Sequence, residues 1–472
     1  MKQLFLFIAL FLSLQSKSQD LLNLPASQSL WDISEVTIDG VKGISLNRYL
    51  GDASVNGLKI TIPSSIGSKS VIALCYIKPE DESKWIPLIG NVKGLHGLFN
   101  QYFDAPNRTL VEVNAENTPL LYVGPLALAH CVHEDISITL PHSMKYIRFN
   151  AFERAGFKEF IFPISLVYLG KNAFTSSSLK QTTSLPIAVT NIFAETFSSS
   201  IEGDIEKYVH SKVSYIGPFA FSDCDKLTGH LSLSDEMNVI EEFAFSSCSS
   251  IEQGTDMPSN LTIIKRNAFA NSSAYKKDLV FSEGLVEIQE NAFGEHPFMG
   301  FIYNGKQIES ITLPKSITTI GVDAFKRSTS TTKFIRVLSS TPPTVGNKRA
   351  FDAAAYENTQ LLVPVGALNN YKSAAIWKEF KSISEDDGTI KLSSNSKKRD
   401  EVYNITNYGR IINFKQPFNV KSVLLYDIKG TMLSKLNHID SQWELPLSIH
   451  GVVMMTVEMV DGSILKEKIM LK

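Results

Sequence analysis

The feature that most constrains the fold is a short pattern that recurs along the chain. Residues 216–227 read IGPFAFSDCDKL and residues 240–251 read IEEFAFSSCSSI, 24 residues apart with six identical positions. The Ala-Phe pair, or a close variant, recurs ten times. It ends at Leu128, Phe152, Phe174, Phe197, Phe221, Phe245, Phe269, Phe293, Phe325 and Phe351. Such a series predicts a repeat architecture.

The spacing of the repeats predicts a solenoid. Nine of the ten units carry an aliphatic residue five positions before the aromatic, as in Ile240 before Phe245, and several have a Pro six positions earlier, as at Pro258. A period of 20–29 residues with one short strand is typical of leucine-rich repeats. Because one unit cannot bury its apolar face alone, the units must stack, with parallel strands about 4.8 Å apart.

Composition agrees with a stacked core. Hydrophobic residues make up 43% and charged residues 20% of the 472 residues, and the net charge of −2 gives no basic excess for nucleic acid. The 28 Phe residues are explained as a ladder of buried rings. Cys131, Cys224 and Cys248 each lie three residues after the ladder position, which favours buried thiols, with a Cys224–Cys248 disulfide as the minority alternative.

The repeat pattern L-x-x-I-x-x-x-A-F-x-x-C resembles the BspA-like leucine-rich repeat family of bacterial cell-surface proteins over residues 120–385. The segment LLVPVGALNNYKSAAIWKEFKSI (361–383) is similar to the closing cap of such solenoids. The resemblance implies an α/β leucine-rich-repeat solenoid, mostly β with short helical turns. It also implies an exported protein in which adhesion is the usual proposal.

The two ends of the chain differ from the repeats. Residues 1–18 have the pattern of a signal peptide, with Lys2 followed by the apolar run LFLFIALFLSL, which predicts export. The sorting-domain resemblance described below implies that the protein is secreted or surface-attached in a Gram-negative bacterium. Residues 19–118 are predicted to form an N-terminal β-rich cap and residues 119–384 the solenoid with its C-terminal cap. No later run is long enough for a membrane helix.

A linker and a small second domain follow the solenoid. Residues 385–402 are charged and Ser-rich, which is typical of a linker. Residues 403–472 alternate in polarity, and Asp461-Gly462 between two such runs is a hairpin signal, so an antiparallel β-sandwich is predicted. This segment resembles the C-terminal sorting domain of the type IX secretion system through LLYDIKGTML (424–433), although Val453 stands where that family has an aromatic residue.

No catalytic motif is present in the sequence. There is no G-x-S-x-G, H-E-x-x-H, Walker loop or G-x-G-x-x-G. The segment AHCVHED (129–135) could supply zinc ligands, but its spacing matches no standard zinc motif. The chain is therefore predicted to be no enzyme, with no cofactor, no catalytic residue and no metal ligand.

Binding is expected on residues between the core positions. The unit from Phe293 to Phe325 carries about eight extra residues. Insertions in solenoids emerge on one face and often carry recognition. The low-ranked binding candidates within this insertion are Phe298, Phe301, Tyr303 and Lys306.

The sequence leaves three functions open. The first is an adhesin-like protein that presents a rigid repeat surface to host, matrix or other cell-surface proteins. The second is a carbohydrate-binding or glycan-processing surface protein, which predicts exposed aromatic side chains in a groove and, if it cleaves, a carboxylate pair. The third is a structural scaffold of a surface assembly.

Overall fold

The structure is a computed structural model. It describes residues 30–50, 57–78, 110–133, 136–157, 159–180, 182–251, 257–275, 277–295 and 307–386, and then 403–406, 411–414, 420–427, 432–436, 442–445, 451–459 and 464–471. The chain divides into two compact units, residues 1–386 and residues 387–472. Each unit is described by itself below.

Each coil of the first unit contributes a very short strand to a first row of parallel strands. The second residue of the strand is the buried aliphatic of the repeat, such as Ile240 or Ile264, and it pairs with its counterpart in the next coil. The strands of this row are β5 (Lys69–Leu74), β7 (Tyr122–Val123), β9 (Tyr146–Ile147), β11 (Tyr168–Leu169), β13 (Asn191–Ile192), β15 (Tyr215–Ile216), β17 (Val239–Ile240), β18 (Ile263–Ile264), β20 (Glu287–Ile288), β22 (Thr319–Ile320) and β24 (Thr344–Val345).

A second row of parallel strands runs along another side of the same coils. It is made of the strand-like runs that precede the proline or its substitute. These strands are β3 (Leu58–Thr61), β6 (Leu110–Asn114), β8 (Ser137–Thr139), β10 (Gly156–Phe157), β12 (Ser178–Leu179), β14 (Gly203–Asp204), β16 (Leu227–Thr228), β19 (Asp278–Val280), β21 (Ser310–Leu313), β23 (Phe334–Val337), β25 (Gln360–Pro364) and β26 (Ser382–Asp386).

The phenylalanines of the repeat form a continuous ladder inside the coils. Phe221 and Phe245 stack with ring centroids 5.5 Å apart and planes inclined by 4°, and Phe245 stacks in the same way on Phe269 at 5.5 Å and 7°. The backbone follows the same stacking, since the Phe245 N–H donates to the Ala268 carbonyl at 2.9 Å. The ladder explains the fixed phase of Ala-Phe, because each ring rests on the next coil.

The segment that carries Ala-Phe is a double turn rather than a helix. Residues two before and two after the ladder aromatic adopt positive φ, as at Asn267 (56°) and Asn271 (54°) around Phe269. Asn and Asp tolerate this left-handed conformation better than other non-glycine residues, and Asn150, Asn172, Asn267, Asn291 and Asp323 occupy the first of the two positions. Each coil therefore closes tightly without a helical segment.

The N-terminal part adds a hairpin to the first row. Strands β1 (Trp31–Ile38) and β2 (Val41–Tyr49) are antiparallel, and β2 pairs in parallel with β5, to which β4 (Ser65–Ile66) also pairs. The β3 and β5 strands of residues 58–74 stack in parallel on β6 and β7 of the first regular coil. This stretch is thus an irregular coil of the same stack.

Aromatic side chains close the C-terminal end of the ladder. The last rung, Phe351, contacts Trp377 at 5.8 Å and Phe380 at 5.7 Å. The cap contains α1 (Ala353–Asn358) and α2 (Leu368–Ser373), the two α-helices of the described residues. Three-residue 3₁₀ turns lie at Ile205–Lys207, Lys348–Ala350 and Trp377–Glu379. The apolar end of the stack is thereby kept from water, as terminal repeats require.

The second unit is made of antiparallel strands. One sheet has the order β27 (Tyr403–Thr406), β28 (Ile411–Phe414), β31 (Gln442–Glu444), and the other the order β30 (Met432–Leu436), β29 (Val420–Asp427), β32 (Gly451–Met459), β33 (Ile464–Leu471). Ile412 and Phe414 from the first sheet share one buried cluster with Val423, Leu425 and Val453 from the second.

The predicted fold class is confirmed, with fewer helical turns than expected. The structure is a parallel-sheet solenoid of coils of about 24 residues with an antiparallel unit after it. The domain boundaries given above remain predictions. All four cysteines are free thiols, and burial raises the pKa of Cys224 to about 12. The thiol of Cys224 donates to the Phe197 carbonyl, and the thiol of Cys248 donates to the Phe221 carbonyl, each at 3.1 Å.

Candidate functional site

The binding candidates chosen from the insertion, Phe298, Phe301, Tyr303 and Lys306, lie outside the described residues. The described chain resumes at Gln307, beside an open cleft of about 390 Å³ lined by Lys277, Gln307, Glu309, Thr331 and Lys333. In this cleft the Glu309 carboxylate accepts from Lys333 Nζ at 2.8 Å and faces Lys277 Nζ at 3.4 Å. The first described residue after the insertion therefore borders a polar cleft, and the four candidates remain predictions.

The segment 129–135 gives no metal centre in its described part. Cys131 is buried, and burial raises the pKa of its thiol to about 12. His130 is also buried, and burial lowers its pKa, with Arg154 acting in the same direction and Glu153 against it. Among the residues that the structure describes, no group of three or more His, Cys, Asp or Glu side chains could hold a metal ion. Glu134 and Asp135 lie outside those residues.

The outward face of the first strand row carries a line of aromatic side chains that the sequence analysis did not single out. Strand residues alternate in direction, so the residues on either side of the buried aliphatic point outward. Tyr168 contacts Phe193 with ring centroids 5.4 Å apart, and Phe193 contacts Tyr215 at 6.3 Å. Tyr122 and Tyr146 continue the line at 6.4 Å. The aromatic row is defined as Tyr122, Tyr146, Tyr168, Phe193 and Tyr215.

Alternating glycines make room for the large side chains of this face. The position after the buried aliphatic reads Gly124, Arg148, Gly170, Phe193 and Gly217 in five successive coils. A Cβ at Gly170 would lie 2.5 Å from the Phe149 backbone nitrogen, so the backbones approach too closely for a side chain. Because the glycines have no side chain, the side chains of Arg148 and Phe193 in the coils between them can lie across the adjacent coils.

Arg148 contacts tyrosine rings of the two coils that flank its own. Its guanidinium carbon lies 4.4 Å from the ring centroid of Tyr168 and 5.8 Å from that of Tyr122. The residue is only 8% exposed. Arginine keeps its charge in proteins, and a guanidinium over an aromatic face is held by the ring quadrupole. This contact fixes Tyr168 and covers one of its faces.

The N-terminal hairpin ends the aromatic row on one side. Val36 and Ile38 pack with Ile72 and Tyr122 in a cluster that is separate from the main core, and Tyr122 is 3% exposed. At the tip of the hairpin, Asp39 accepts from Lys145 Nζ at 2.8 Å and from the Tyr146 hydroxyl at 3.0 Å. The accessible part of the row therefore begins at Tyr146.

A group of exposed aliphatic side chains lies next to the row along the chain. Ile164 is 75% exposed and Ile187 is 61% exposed, and they occupy equivalent turn positions after Pro163 and Pro186 in adjacent coils. Val167 is also exposed and directly precedes Tyr168. The coils with the open aromatic row thus present apolar surface on the neighbouring turn as well. Exposed apolar side chains concentrated in a few adjacent coils are typical of an interaction site.

The later coils have a charged face instead. At the outward positions of the first row stand Glu241, Lys265 and Glu287, and Lys265 Nζ lies 2.8 Å from the Glu241 carboxylate of the preceding coil. Arg266 pairs with Glu242 in the same way. The outward positions of these later coils thus hold charged side chains beside the aliphatic Val239 and Ile263, and none of them is aromatic.

The sequence contained a signal for the aromatic row. It lies in the residues that flank the aliphatic of each repeat, which read Y-V-G, Y-I-R, Y-L-G, N-I-F and Y-I-G from Tyr122 to Gly217. The sequence analysis assigned the aromatic surplus to the core ladder. Aromatic residues outside the ladder phase are the signal that marks this row.

Comparison with known proteins identifies the family. The family model for the BspA type leucine-rich repeat region matches residues 122–207, 204–332 and 299–372, in six copies. These ranges together cover more than half of the 472 residues. The chain therefore belongs to the BspA type leucine-rich repeat family.

Two solved structures are similar to the chain. A leucine-rich repeat protein from Bacteroides ovatus is 17% identical, with 75% of this chain and 78% of that chain covered and a TM-score of 0.36. A leucine-rich cell surface protein from Faecalibacterium prausnitzii is 16% identical, with 77% and 95% covered and a TM-score of 0.36. A search of curated proteins found no match. Within the described residues, no helix combines the length and the hydropathy needed to cross a membrane.

Proposed function

We propose that this protein is a non-enzymatic, extracellular repeat scaffold that binds a protein partner, adhesin-like, through the aromatic row and the aliphatic turn beside it. The observation that carries the proposal is the accessible line Tyr168, Phe193 and Tyr215, of which Tyr215 is 38% exposed. Tyrosine and arginine are enriched at the centres of protein interfaces and dominate their binding energy. Membership in a leucine-rich repeat family supports the scaffold role.

Ring packing favours a protein partner over a glycan. A sugar stacks on the open face of an aromatic ring. Here Arg148 covers one face of Tyr168, and Phe193 contacts the rings of both Tyr168 and Tyr215, so less ring face is open to a stacked sugar. Apolar side chains of a protein can pack on such edges. Carbohydrate binding is kept as the competing outcome of the test.

An extracellular location and export through the C-terminal unit belong to the same proposal. The sequence supports them through the signal-peptide pattern of residues 1–18 and the sorting-domain resemblance of residues 403–472. Removal of residues 403–472 should leave the protein in the periplasm, as measured by cell fractionation. Normal surface display of the truncated chain would exclude the sorting role.

The binding test compares two matched double variants of the mature chain. Tyr168→Ser with Tyr215→Ser removes the row, and Glu287→Ser with Thr319→Ser changes the equivalent outward positions of later coils. Both are screened against immobilised extracellular matrix proteins and a glycan array at physiological salt. We expect saturable protein binding that the first pair abolishes and the second pair retains.

Other outcomes of the screen would redirect the assignment. Loss of binding in the Glu287/Thr319 pair alone would place the site on the charged coils. Loss on replacing residues 296–306 by a Gly-Ser segment, with the row intact, would place it on the insertion with Phe298, Phe301, Tyr303 and Lys306. Glycan binding without protein binding would overturn the protein-binding proposal. Silence throughout would favour a structural scaffold.

A further inference from the structure

We infer that the row from Tyr168 to Tyr215 is a docking surface for a single proline-rich segment of another protein in the polyproline II conformation. This inference rests on the proposed function and names the kind of partner that the row takes. It commits to a short linear segment rather than to a folded surface.

The spacing of the row fits polyproline II. Tyr168 and Tyr215 occupy the same outward position two coils apart, with Asn191 at that position in the coil between them. At about 4.8 Å per coil, this separation is about 10 Å. A polyproline II helix has three residues per turn and advances about 9 Å per turn, so every third side chain returns to the same face. Successive turns of such a ligand meet successive tyrosines.

An extended β-strand fits the same row poorly. Side chains on one face of a strand repeat at about 7 Å and then about 13 Å, because alternate residues point to opposite faces. Neither distance matches a two-coil separation of about 10 Å. A β-strand would therefore place a side chain out of register with the second tyrosine.

The polar groups of the row are suited to a ligand that offers carbonyl oxygens. A proline-rich segment has free backbone carbonyls and few N–H groups, since proline carries none and polyproline II makes no internal hydrogen bonds. Asn191 is exposed between the two tyrosines, and its Nδ2 makes a long contact of 3.4 Å with Thr190 Oγ1. Asn191 is therefore placed to donate to a ligand carbonyl.

The Tyr215 hydroxyl is a second donor. Tyr215 is 38% exposed, and its pKa is raised by burial and then by Glu241, so the hydroxyl keeps its proton at neutral pH. Phe193 contacts the rings of both Tyr168 and Tyr215 and adds apolar surface between them. Aromatic-lined grooves with a few donors are the general means of binding proline-rich segments.

The size of the face also favours a short segment. Four coils, from Tyr146 to Tyr215, span about 19 Å, and a three-residue strand face is about 10 Å wide, which gives on the order of 200 Å². A stable complex between folded proteins buries about 800 Å² on each partner. A second copy of this chain seated on the row would bury too little, whereas about six residues of a polyproline II segment, at about 3.1 Å per residue, span the same length.

The test measures peptide binding to the mature chain by isothermal titration calorimetry. The probe is a capped nonapeptide of three Pro-Pro-Leu repeats, and the control peptide has every proline replaced by alanine. We expect the proline peptide to bind at least about tenfold more tightly than the alanine peptide, which is about 1.4 kcal/mol.

Protein variants assign the peptide to the row. Tyr215→Ala should weaken peptide binding at least about tenfold, and Asn191→Ala should weaken it about fivefold. Tyr215→Phe should weaken it only by the share of the affinity that the hydroxyl hydrogen bond contributes. Thr319→Ala, at the equivalent position of a later coil, should change nothing. Each variant is checked by its melting temperature.

The outcomes separate this inference from the proposed function. Row-dependent binding of a matrix protein without binding of the proline peptide would overturn the inference and keep the function. Equal binding of both peptides, or peptide binding that survives Tyr215→Ala, would also overturn the inference. No binding of either kind would overturn both.

Discussion

Two stretches of the solenoid share one interior and differ in what they present to solvent. In the coils of Tyr168 to Tyr215, the outward positions hold aromatic rings in contact with one another. In the later coils, three of these outward positions hold the charged residues Glu241, Lys265 and Glu287, and Lys265 pairs with Glu241 of the preceding coil. Beside the second row of strands, Lys333 pairs with Glu309 of the preceding coil in the same way. The ring ladder below them is the same, with stacked contacts of 5.6 Å for Phe197 on Phe221 and 5.4 Å for Phe269 on Phe293.

This difference separates the residues that make the fold from those that make the site. Core positions repeat because each side chain must stack on its counterpart. Outward positions are free of that constraint, so they can be apolar in one stretch and charged in another. Surface ion pairs contribute little to the free energy of unfolding. Aromatic side chains left in water gain no free energy of burial, so a group of exposed aromatic residues indicates a binding surface.

The largest predicted effect tests whether the two stretches share one core. Phe174→Ala in the aromatic stretch and Phe293→Ala in the charged stretch should each destabilise the protein by about 3–5 kcal/mol, because each removes a fully buried ring. Urea unfolding measures this. As a control, Phe243→Ala removes a half-buried ring outside the ladder and should cost clearly less. A tolerated ladder substitution in one stretch would show that the stack is not continuous.

The next effect concerns the glycines of the aromatic stretch. Gly170→Ala should destabilise by about 1–3 kcal/mol, because the added Cβ would lie 2.5 Å from the Phe149 nitrogen and 2.6 Å from the Arg148 carbonyl carbon. Glu241→Ala, at the equivalent position of a later coil, should destabilise by at most about 1 kcal/mol, because it removes the ion pair with Lys265 and no close backbone contact. Equal effects would mean that the glycine is not required by backbone approach.

A smaller effect separates the two surfaces by their response to salt. A double-mutant cycle on Lys265 and Glu241 should give a coupling energy of about 0.2–1 kcal/mol that falls in 1 M NaCl. The same cycle on Tyr168 and Phe193 should give about 0.5–1.5 kcal/mol with no such fall, since ring packing is not screened. Salt-sensitive coupling in the aromatic pair would contradict its packing role.

The smallest effect is a pH dependence at the ion pair of Glu309 and Lys333. The Lys333 ammonium beside Glu309 lowers the pKa of that carboxyl below its usual 4.5. A carboxyl with a lowered folded-state pKa stabilises above its unfolded pKa, and this contribution is lost as the pH falls through the folded value. Glu309→Gln should therefore flatten the stability curve slightly below pH 4.5, as followed by urea unfolding at several pH values. Lys333→Ala should have the same effect. If neither variant changes the pH dependence of the unfolding free energy at acid pH, the ion pair does not contribute to stability.

Part of the site could have been read from the sequence and part could not. The phase of Tyr122, Tyr146, Tyr168 and Tyr215, each one residue before the buried aliphatic, already predicts that these side chains point outward together. The sequence does not show that Arg148 lies over Tyr168, because that contact depends on side-chain conformation across two coils. It also does not show that the hairpin buries Tyr122 and leaves the row open from Tyr146.

The sequence by itself determined the stack. A period near 24 residues, a fixed distance from Ile to Phe, and a small residue before each Phe admit one arrangement, in which like residues lie on like residues. Local and repeated constraints of this kind are fully written in the chain. The tertiary structure decided the surface. Which outward residues touch, which are covered by Val36 and Ile38 of the hairpin, and where the accessible row begins depend on contacts between segments far apart in sequence, and no periodicity specifies those contacts.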